Sequence, residues 1–570
     1  MKLTRKRVFG ASGVAAAALL SYWAIAQPRP ASLAEMMPVG SMLFLEAKDL
    51  GALLKDWNAS NEKSEWVKSD AYQVFTRSRL AGRLEQAQGE FASAAGAPPD
   101  FAMLNSIAGA ESALGIYDVG NLEFLFITKL PAARAAESVL WKARGSAQSR
   151  RAANAEYFVK VEKASNRTVA FAAAGGWLLL ATREDLLTGA LALIANPGQT
   201  SLRQERWFDQ AVAAATNGPR ELRMAANMER LTVSPHFRSY WIQKNVSELK
   251  QFRSAIADLD RSGGAFTERR IMQRPTPTGD TTASEPGVAQ VMRLVPDQAG
   301  LYRAWATLTP AQAVDLIRFK ILGEPGFAIS DNKQAPVVSE SDGAIGSESD
   351  LERRIDEAPL VDNRSTRVIA ALGRLFANGN LGAGLQVSSN RRAPNGVFLA
   401  ETSVLAFTAP QDWNSASVRS ALTEAADGLW SAGQLGTGWA SRRAGTVEYF
   451  AMDGPGGLAM ATSGKLLFIA NNATALQEVL AKLNAAPAAQ GALYAAGYRH
   501  AAELPNFERM MRLIDFPMNP APAAGEAREP AFFSGTLASL GRVLSRTQSA
   551  SVVAHDNGAQ VTETVVYRLR

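Results

Sequence analysis

Residues 149–158 read SRRAANAEYF, and residues 441–450 read SRRAGTVEYF. Seven of these ten positions are identical without a gap. The match includes Arg-Arg and Glu-Tyr-Phe, a combination that low-complexity sequence does not generate. Self-similarity of this kind predicts one supersecondary unit used twice. The flanks extend the match outward in the same order.

Upstream, Met37-Pro38-Val39-Gly40-Ser41-Met42-Leu43-Phe44 parallels Val295-Pro296-Asp297-Gln298-Ala299-Gly300-Leu301-Tyr302. In both, an apolar-aromatic pair begins five residues after the proline. Each segment then leads into a helix. Leu50, Leu53, Leu54 and Trp57 fall at i, i+3, i+4 and i+7, one helical face. Thr309-Pro310-Ala311-Gln312 reads as an N-cap, a proline at N1 and a capping-box glutamine. Downstream, Trp177–Ala181 aligns with Leu466–Ala470, each a short apolar run of buried-strand length. The helices that follow are in phase: Leu187, Ala190, Leu191 and Ile194 match Leu476, Val479, Leu480 and Leu483. Further on, Ala225-Ala226 precede Pro235 and Phe237 by the intervals that separate Ala495-Ala496 from Pro505 and Phe507.

Unequal spacings between these landmarks locate insertions. The second copy carries an acidic, Ser-rich stretch at about 331–360, expected as a loop because it has almost no large apolar residues. The first copy has an added amphipathic helix around Gln204–Thr216. Ile242, Val246, Leu249, Phe252, Ile256 and Leu259 share a helical face and predict one long helix. The chain closes on SVVAHDNGAQVTETVVYRL, read as a hairpin with a type I′ turn at Asn557-Gly558.

Mixed strands, helices and hairpins favour an α+β fold over a doubly wound parallel sheet. The expected organisation is two tandem, degenerate α+β copies after an N-terminal apolar segment. Residues 1–26 form a signal peptide or membrane anchor, and 27–36 a short linker. Residues 37–274 are the first repeat, 275–290 a Pro/Thr linker and 291–570 the second repeat.

Composition narrows the function classes. The 570 residues include no cysteine and only three histidines. Disulfide scaffolds, thiolate metal sites and cysteine nucleophiles are thereby excluded. The formal net charge is +6, from 60 basic and 54 acidic residues. Four of the basic residues, Lys2, Arg5, Lys6 and Arg7, sit in the first seven positions. The rest of the chain is near neutral and has no basic stripe, so nucleic acid is not an expected partner.

After that basic start, Val8 to Ala26 is an uncharged, alanine-rich apolar run. It suits a secretory core or a short membrane span, and Ala24-Ile25-Ala26 fits the small-x-small cleavage rule. Either a cleaved signal or a retained anchor with Tyr22 and Trp23 at the interface would put residues 27–570 outside the cytoplasm. The expected location is the periplasm or the outer face of the inner membrane.

No catalytic constellation stands out. Gly433–Gly438 lacks dinucleotide-loop spacing, and Gly457–Lys465 has Leu466 where magnesium needs Ser or Thr. No nucleophile elbow occurs in the exported part. His236, His500 and His555 lie far apart in sequence, each readable as a polar surface or helix-entry position. Glu46, Asp49, Glu156 and Glu448 are carboxylates of the type that could act in pairs. Solvated or ion-paired surface acids explain them as well. Neither a cofactor nor a metal site is expected.

The repeated motif is the feature singled out. Arg150, Arg151, Arg442 and Arg443 are candidate anion- or partner-binding residues. The competing account is structural: arginines at a strand entrance pair with the nearby glutamate while Tyr and Phe fill each core. Retention in both copies favours that account, since both copies must fold whereas only one need bind.

With its duplicated framework and basic-apolar N-terminus, the chain resembles an uncharacterised family of exported bacterial proteins that carry a domain of unknown function. Their first repeat begins with a strand like Pro38-Val-Gly-Ser-Met-Leu-Phe-Leu-Glu46. The resemblance implies an envelope protein with one N-terminal membrane segment, and it supplies no catalytic or ligand residue. The leading expectation is a non-enzymatic binding or scaffold protein of the cell envelope, with the membrane, an envelope protein or a lipid as partner. The alternative is an envelope hydrolase using carboxylates in a cleft between the repeats.

Overall fold

The computed structural model describes residues 32–215, 220–240, 249–323, 366–377, 381–392, 399–429, 438–452, 457–488, 491–515 and 546–570. The expected signal or anchor, the first half of the 27–36 linker and the acidic insertion at 331–360 lie outside the described residues. No helix among the described residues is long and apolar enough to cross a membrane. The fold is mixed α/β with a large antiparallel sheet. Its contacts divide the chain into two compact units.

The first unit comprises residues up to Leu54, Glu85–Ala213 and Met224–Asn227. Its strands are β1 (Leu43–Ala47), β2 (Ser112–Asp118), β3 (Glu123–Lys129), β4 (Gln148–Ala152), β5 (Ala155–Glu162), β6 (Arg167–Ala174), β7 (Trp177–Ala181) and the end of β8 (Leu222–Asn227). Antiparallel pairing gives the order β4-β5-β6-β7-β3-β2-β1, with β8 beside β1. Phe126, Phe158, Phe171, Leu178 and Leu180 project from these strands into one core with Phe91 and Leu140. Alternation sends their strand neighbours Leu179 and Ala181 to the opposite face, where both are fully buried. The run Trp177–Ala181 is apolar throughout because both of its faces are covered.

The second unit holds Lys55–Leu84, Ala214–Arg223 and Met228–Arg570. Its strands are β9 (Ser254–Ser262), β10 (Ala265–Gln273), β11 (Leu301–Trp305), β12 (Gly384–Arg392), β13 (Leu399–Thr408), β14 (Trp439–Ala444), β15 (Val447–Met452), β16 (Leu458–Ser463), β17 (Leu466–Ala470), β18 (Tyr494–Tyr498), β19 (Thr547–Asp556) and β20 (Gln560–Leu569). They pair antiparallel in the order β9-β10-β20-β19-β18-β11-β12-β13-β17-β16-β15-β14. Leu467 and Ile469 of β17 enter one core while Phe468 and Ala470 enter another, so this sheet too is covered on both faces. The capping box at Thr309 and Gln312 forms, with Pro310 in the first turn.

Two expectations are corrected. The long helix ending at Leu259 does not form there, because Ile256 and Leu259 lie in β9. Ser254, Ile256, Asp258 and Asp260 are buried at every second position, a strand period. Gly263 and Gly264, both with left-handed φ, then close the β9–β10 hairpin. The terminal hairpin forms, but only Gly558 at its turn has a positive φ. A type I′ turn needs two such residues, so Asn557-Gly558 is not one.

The Pro/Thr stretch after Arg274, expected as a linker, is tied to the terminal hairpin. Arg274 N–H donates to Ala559 O at 3.0 Å and Thr278 N–H to Gly558 O at 2.9 Å. Thr281 Oγ1 donates to Asp556 O, and a helix begins at Pro286. Register also explains why β9 and β10 group with the second unit. All nine residues of β10 are matched by β20.

The helix Leu50–Ala59 is present, yet none of its residues is fully buried and Trp57 is exposed. His500, read as a surface position, is buried at the start of the helix His500–Asp515, and burial pulls its pKa down. Its Nδ1 has no hydrogen-bond partner among the described residues.

Candidate functional site

The repeated motif builds the same hairpin twice. Ser149 faces Phe158, Arg150 faces Tyr157 and Arg151 faces Glu156 across β4 and β5. Ser441 faces Phe450, Arg442 faces Tyr449 and Arg443 faces Glu448 across β14 and β15. In each hairpin the serine Oγ donates to the glutamate Oε1 at 2.6 Å. Tyr157 and Tyr449 are both buried. Among the described residues β4 pairs only with β5, and β14 only with β15, so each motif ends its sheet.

The turns differ. Ala153 and Asn154 both take left-handed φ, the type I′ signature, whereas in the second hairpin only Gly445 does. This accounts for the divergent centre of the motif. Two of the three differing positions, Ala153/Gly445 and Asn154/Thr446, lie in the turn, and the third, Ala155/Val447, begins the return strand.

All four arginines are exposed. Because successive strand residues point to opposite faces, the two members of each pair do not form a joint patch. Arg150 NH1 lies 2.7 Å from Glu184 Oε1 and 2.8 Å from Oε2, and its NH2 donates to Gln148. Tyr157 OH donates to the same Glu184 at 2.7 Å. The hydroxyl of Tyr157, joined by the Arg150 guanidinium, holds the Glu184 carboxyl below its usual range. Glu184 also stands in the first turn of the helix Glu184–Ala195, where a negative charge meets the N-terminal dipole. In the second hairpin a neutral partner replaces it: Gln477 Nε2 donates to Tyr449 OH. Arg150 is thus an internally balanced charge, and the Arg150–Arg151 and Arg442–Arg443 pairs lie on separate units.

The carboxylates named from sequence are dispersed. Asp49 Oδ1 accepts the Ala52 N–H, a helix cap. Glu156 and Glu448 accept from Ser149 and Ser441 as above. Among the described residues, the carboxyls with displaced pKa values are Glu184, Asp280, Glu424 and Asp556, all lowered by hydrogen bonds to the ionised form. A general acid requires the opposite displacement. His236 is exposed, and His555 Nδ1 lies 2.9 Å from Glu285 Oε2. No cluster of three or more metal-ligating side chains occurs among the described residues.

No family model matches the chain, and no curated protein matches it. Among solved structures it is similar to crystal form I of TP0453, at 10% identity and a TM-score of 0.23, covering 44% of this chain and 81% of that one. Crystal form III of the same protein gives 9% identity and a TM-score of 0.23, covering 44% of this chain and 83% of that one. At this level the likeness assigns no role.

Proposed function

We propose that the chain is an exported cell-envelope protein made of two degenerate copies of one α+β unit, and that it works by binding or scaffolding without catalysis. The observation that carries this reading is the recurrence of one strand order. The sequence β4-β5-β6-β7-β3-β2-β1-β8 parallels β14-β15-β16-β17-β13-β12-β11-β18, and the repeated motif occupies the outer hairpin of each. Arg151 and Arg443 stand exposed on the outer strand of each hairpin, where a partner's acidic groups or backbone have access. Export rests on the basic Lys2–Arg7 start and the uncharged run 8–26.

Protease added to spheroplasts of a bacterium expressing the full chain tests the export. The expected result is digestion of residues beyond 27 without lysis, with an N-terminus either at Gln27 or intact. Protection of the whole chain until lysis overturns it.

A further inference from the structure

The two units differ where β3 and β13 end. After β3, Leu130-Pro131 lead directly into the helix Ala132–Glu137. After β13, Ala409-Pro410 are followed by four more residues, Gln411–Asn414, before the helix Ser415–Leu429 begins. This added loop faces the end of the helix Thr366–Leu375 across a surface cleft of about 300 Å³. That volume is at the lower end of the range for small-molecule sites, ~300–1,000 Å³.

The cleft has a fixed apolar floor. Trp413 meets Phe376 edge to face, with centroids 6.0 Å apart at 82°. Phe376 in turn packs on Phe407 of the core at 5.7 Å. Trp413 Nε1 donates to Lys465 O and its backbone N–H to Gly464 O, both at 3.1 Å, so the indole is held in one orientation. It remains half-buried.

Polar groups surround that floor and are largely unspent. Gln411 and Asp412 are exposed lining residues, with no side-chain hydrogen bond or ion pair among the described residues. Asn414 Oδ1 accepts the Ser417 N–H at 2.9 Å, which leaves its amide hydrogens without a partner among the described residues. Arg374 is paired with Glu424, so its charge is balanced.

We propose that this cleft binds the pyranose ring of a saccharide. A pyranose has a flat C–H face for the half-buried Trp413 indole, which the buried Phe376 ring supports edge to face, and a rim of hydroxyls that both donate and accept. Asp412 and the Gln411 carbonyl accept; the Gln411 and Asn414 amides donate. An anionic ligand would meet the Asp412 carboxylate. A wholly apolar one would desolvate it without compensation. The inference stands on the cleft alone and is independent of the export reading.

The test uses the full chain in a detergent without a sugar headgroup. It is titrated with the methyl pyranosides of glucose, galactose and N-acetylglucosamine, followed by saturation-transfer NMR and tryptophan fluorescence. The expected result is saturable binding of at least one. Asp412→Ala and Gln411→Ala should each weaken it by about three- to tenfold, the loss of one hydrogen bond, without changing the melting curve. Trp413→Phe should abolish the fluorescence response. Absence of saturable binding by all three glycosides, or equal binding by the Asp412 and Gln411 variants, overturns the proposal. So does binding of butylammonium chloride with no glycoside bound.

Discussion

Arg274 and Asp556 are 282 positions apart and meet in a two-pronged ion pair, NH1 to Oδ1 at 2.6 Å and NH2 to Oδ2 at 2.8 Å. Each side chain is only about a tenth exposed, at 11% and 10%. The guanidinium also lies over the Phe252 ring at 5.6 Å. The pair fastens the Pro/Thr stretch to the turn between β19 and β20. Replacing one partner leaves the other charge buried, so Asp556→Ala should cost about 3 kcal/mol of stability. Thermal melting of the variant measures it; an unchanged midpoint would show that the stretch is held by its backbone bonds alone.

The same pair sets an acid limit. Hydrogen bonds from the Arg274 guanidinium hold the Asp556 pKa below the usual carboxylate value. A lowered folded-state pKa contributes stability that is fully present above the unfolded value, near 4. That contribution disappears as pH falls through the folded value. Melting curves of the wild type and Asp556→Asn should therefore converge on acidification from neutral pH, and parallel curves would refute the linkage.

Arg223 and Asp258 form a deeper pair, at 7% and 6% exposure, with Nε to Oδ1 at 2.6 Å and NH2 to Oδ2 at 2.7 Å. Asp258→Asn should destabilise by about 3–5 kcal/mol, because the arginine keeps its charge and loses its counterion. Changing both to a well-packed pair such as Arg223→Met with Asp258→Leu should recover most of the loss. A double-mutant cycle reads this directly, and simple additivity would argue against coupling.

Legibility in the sequence followed physical locality. The short apolar strand Leu466–Ala470 and the Thr309 capping box depend on neighbours within ten residues, and they read correctly. Around Ile256 two periods competed. Ile242 to Leu259 matched a helical face, while Ser254–Ser262 alternated and ended at Gly263-Gly264. The glycine pair was the stronger signal, because two adjacent left-handed φ values close a hairpin. Burial of Asp258 and Asp260 obscured it, since buried acids break the apolar alternation that marks a strand. Packing of the Arg274 stretch was not legible because its partner is 282 positions away. The Gln411–Asn414 loop carried no motif; its interest comes from Phe376, which only the fold brings near.

Arginines on an edge strand also discourage sheets from pairing with one another. Arg151→Val and Arg443→Val together would leave β4 and β14 as more apolar edges. Light scattering should then show concentration-dependent association that the wild type lacks. A monodisperse double variant would mean that the edges are protected by something other than charge.

Ala153 offers a test in the opposite direction. Its φ of 48° lies in the left-handed region, where a Cβ crowds the following carbonyl at a cost of roughly 1–2 kcal/mol. The other motif hairpin places Gly445, with φ of 62°, at the first residue of its turn. Ala153→Gly removes the crowding but adds freedom to the unfolded chain, which offsets part of the gain. The net expectation is a stabilisation of about 0.5–1 kcal/mol, seen as a higher melting midpoint. A lower midpoint would mean that the β4–β5 turn does not hold Ala153 in that conformation in solution.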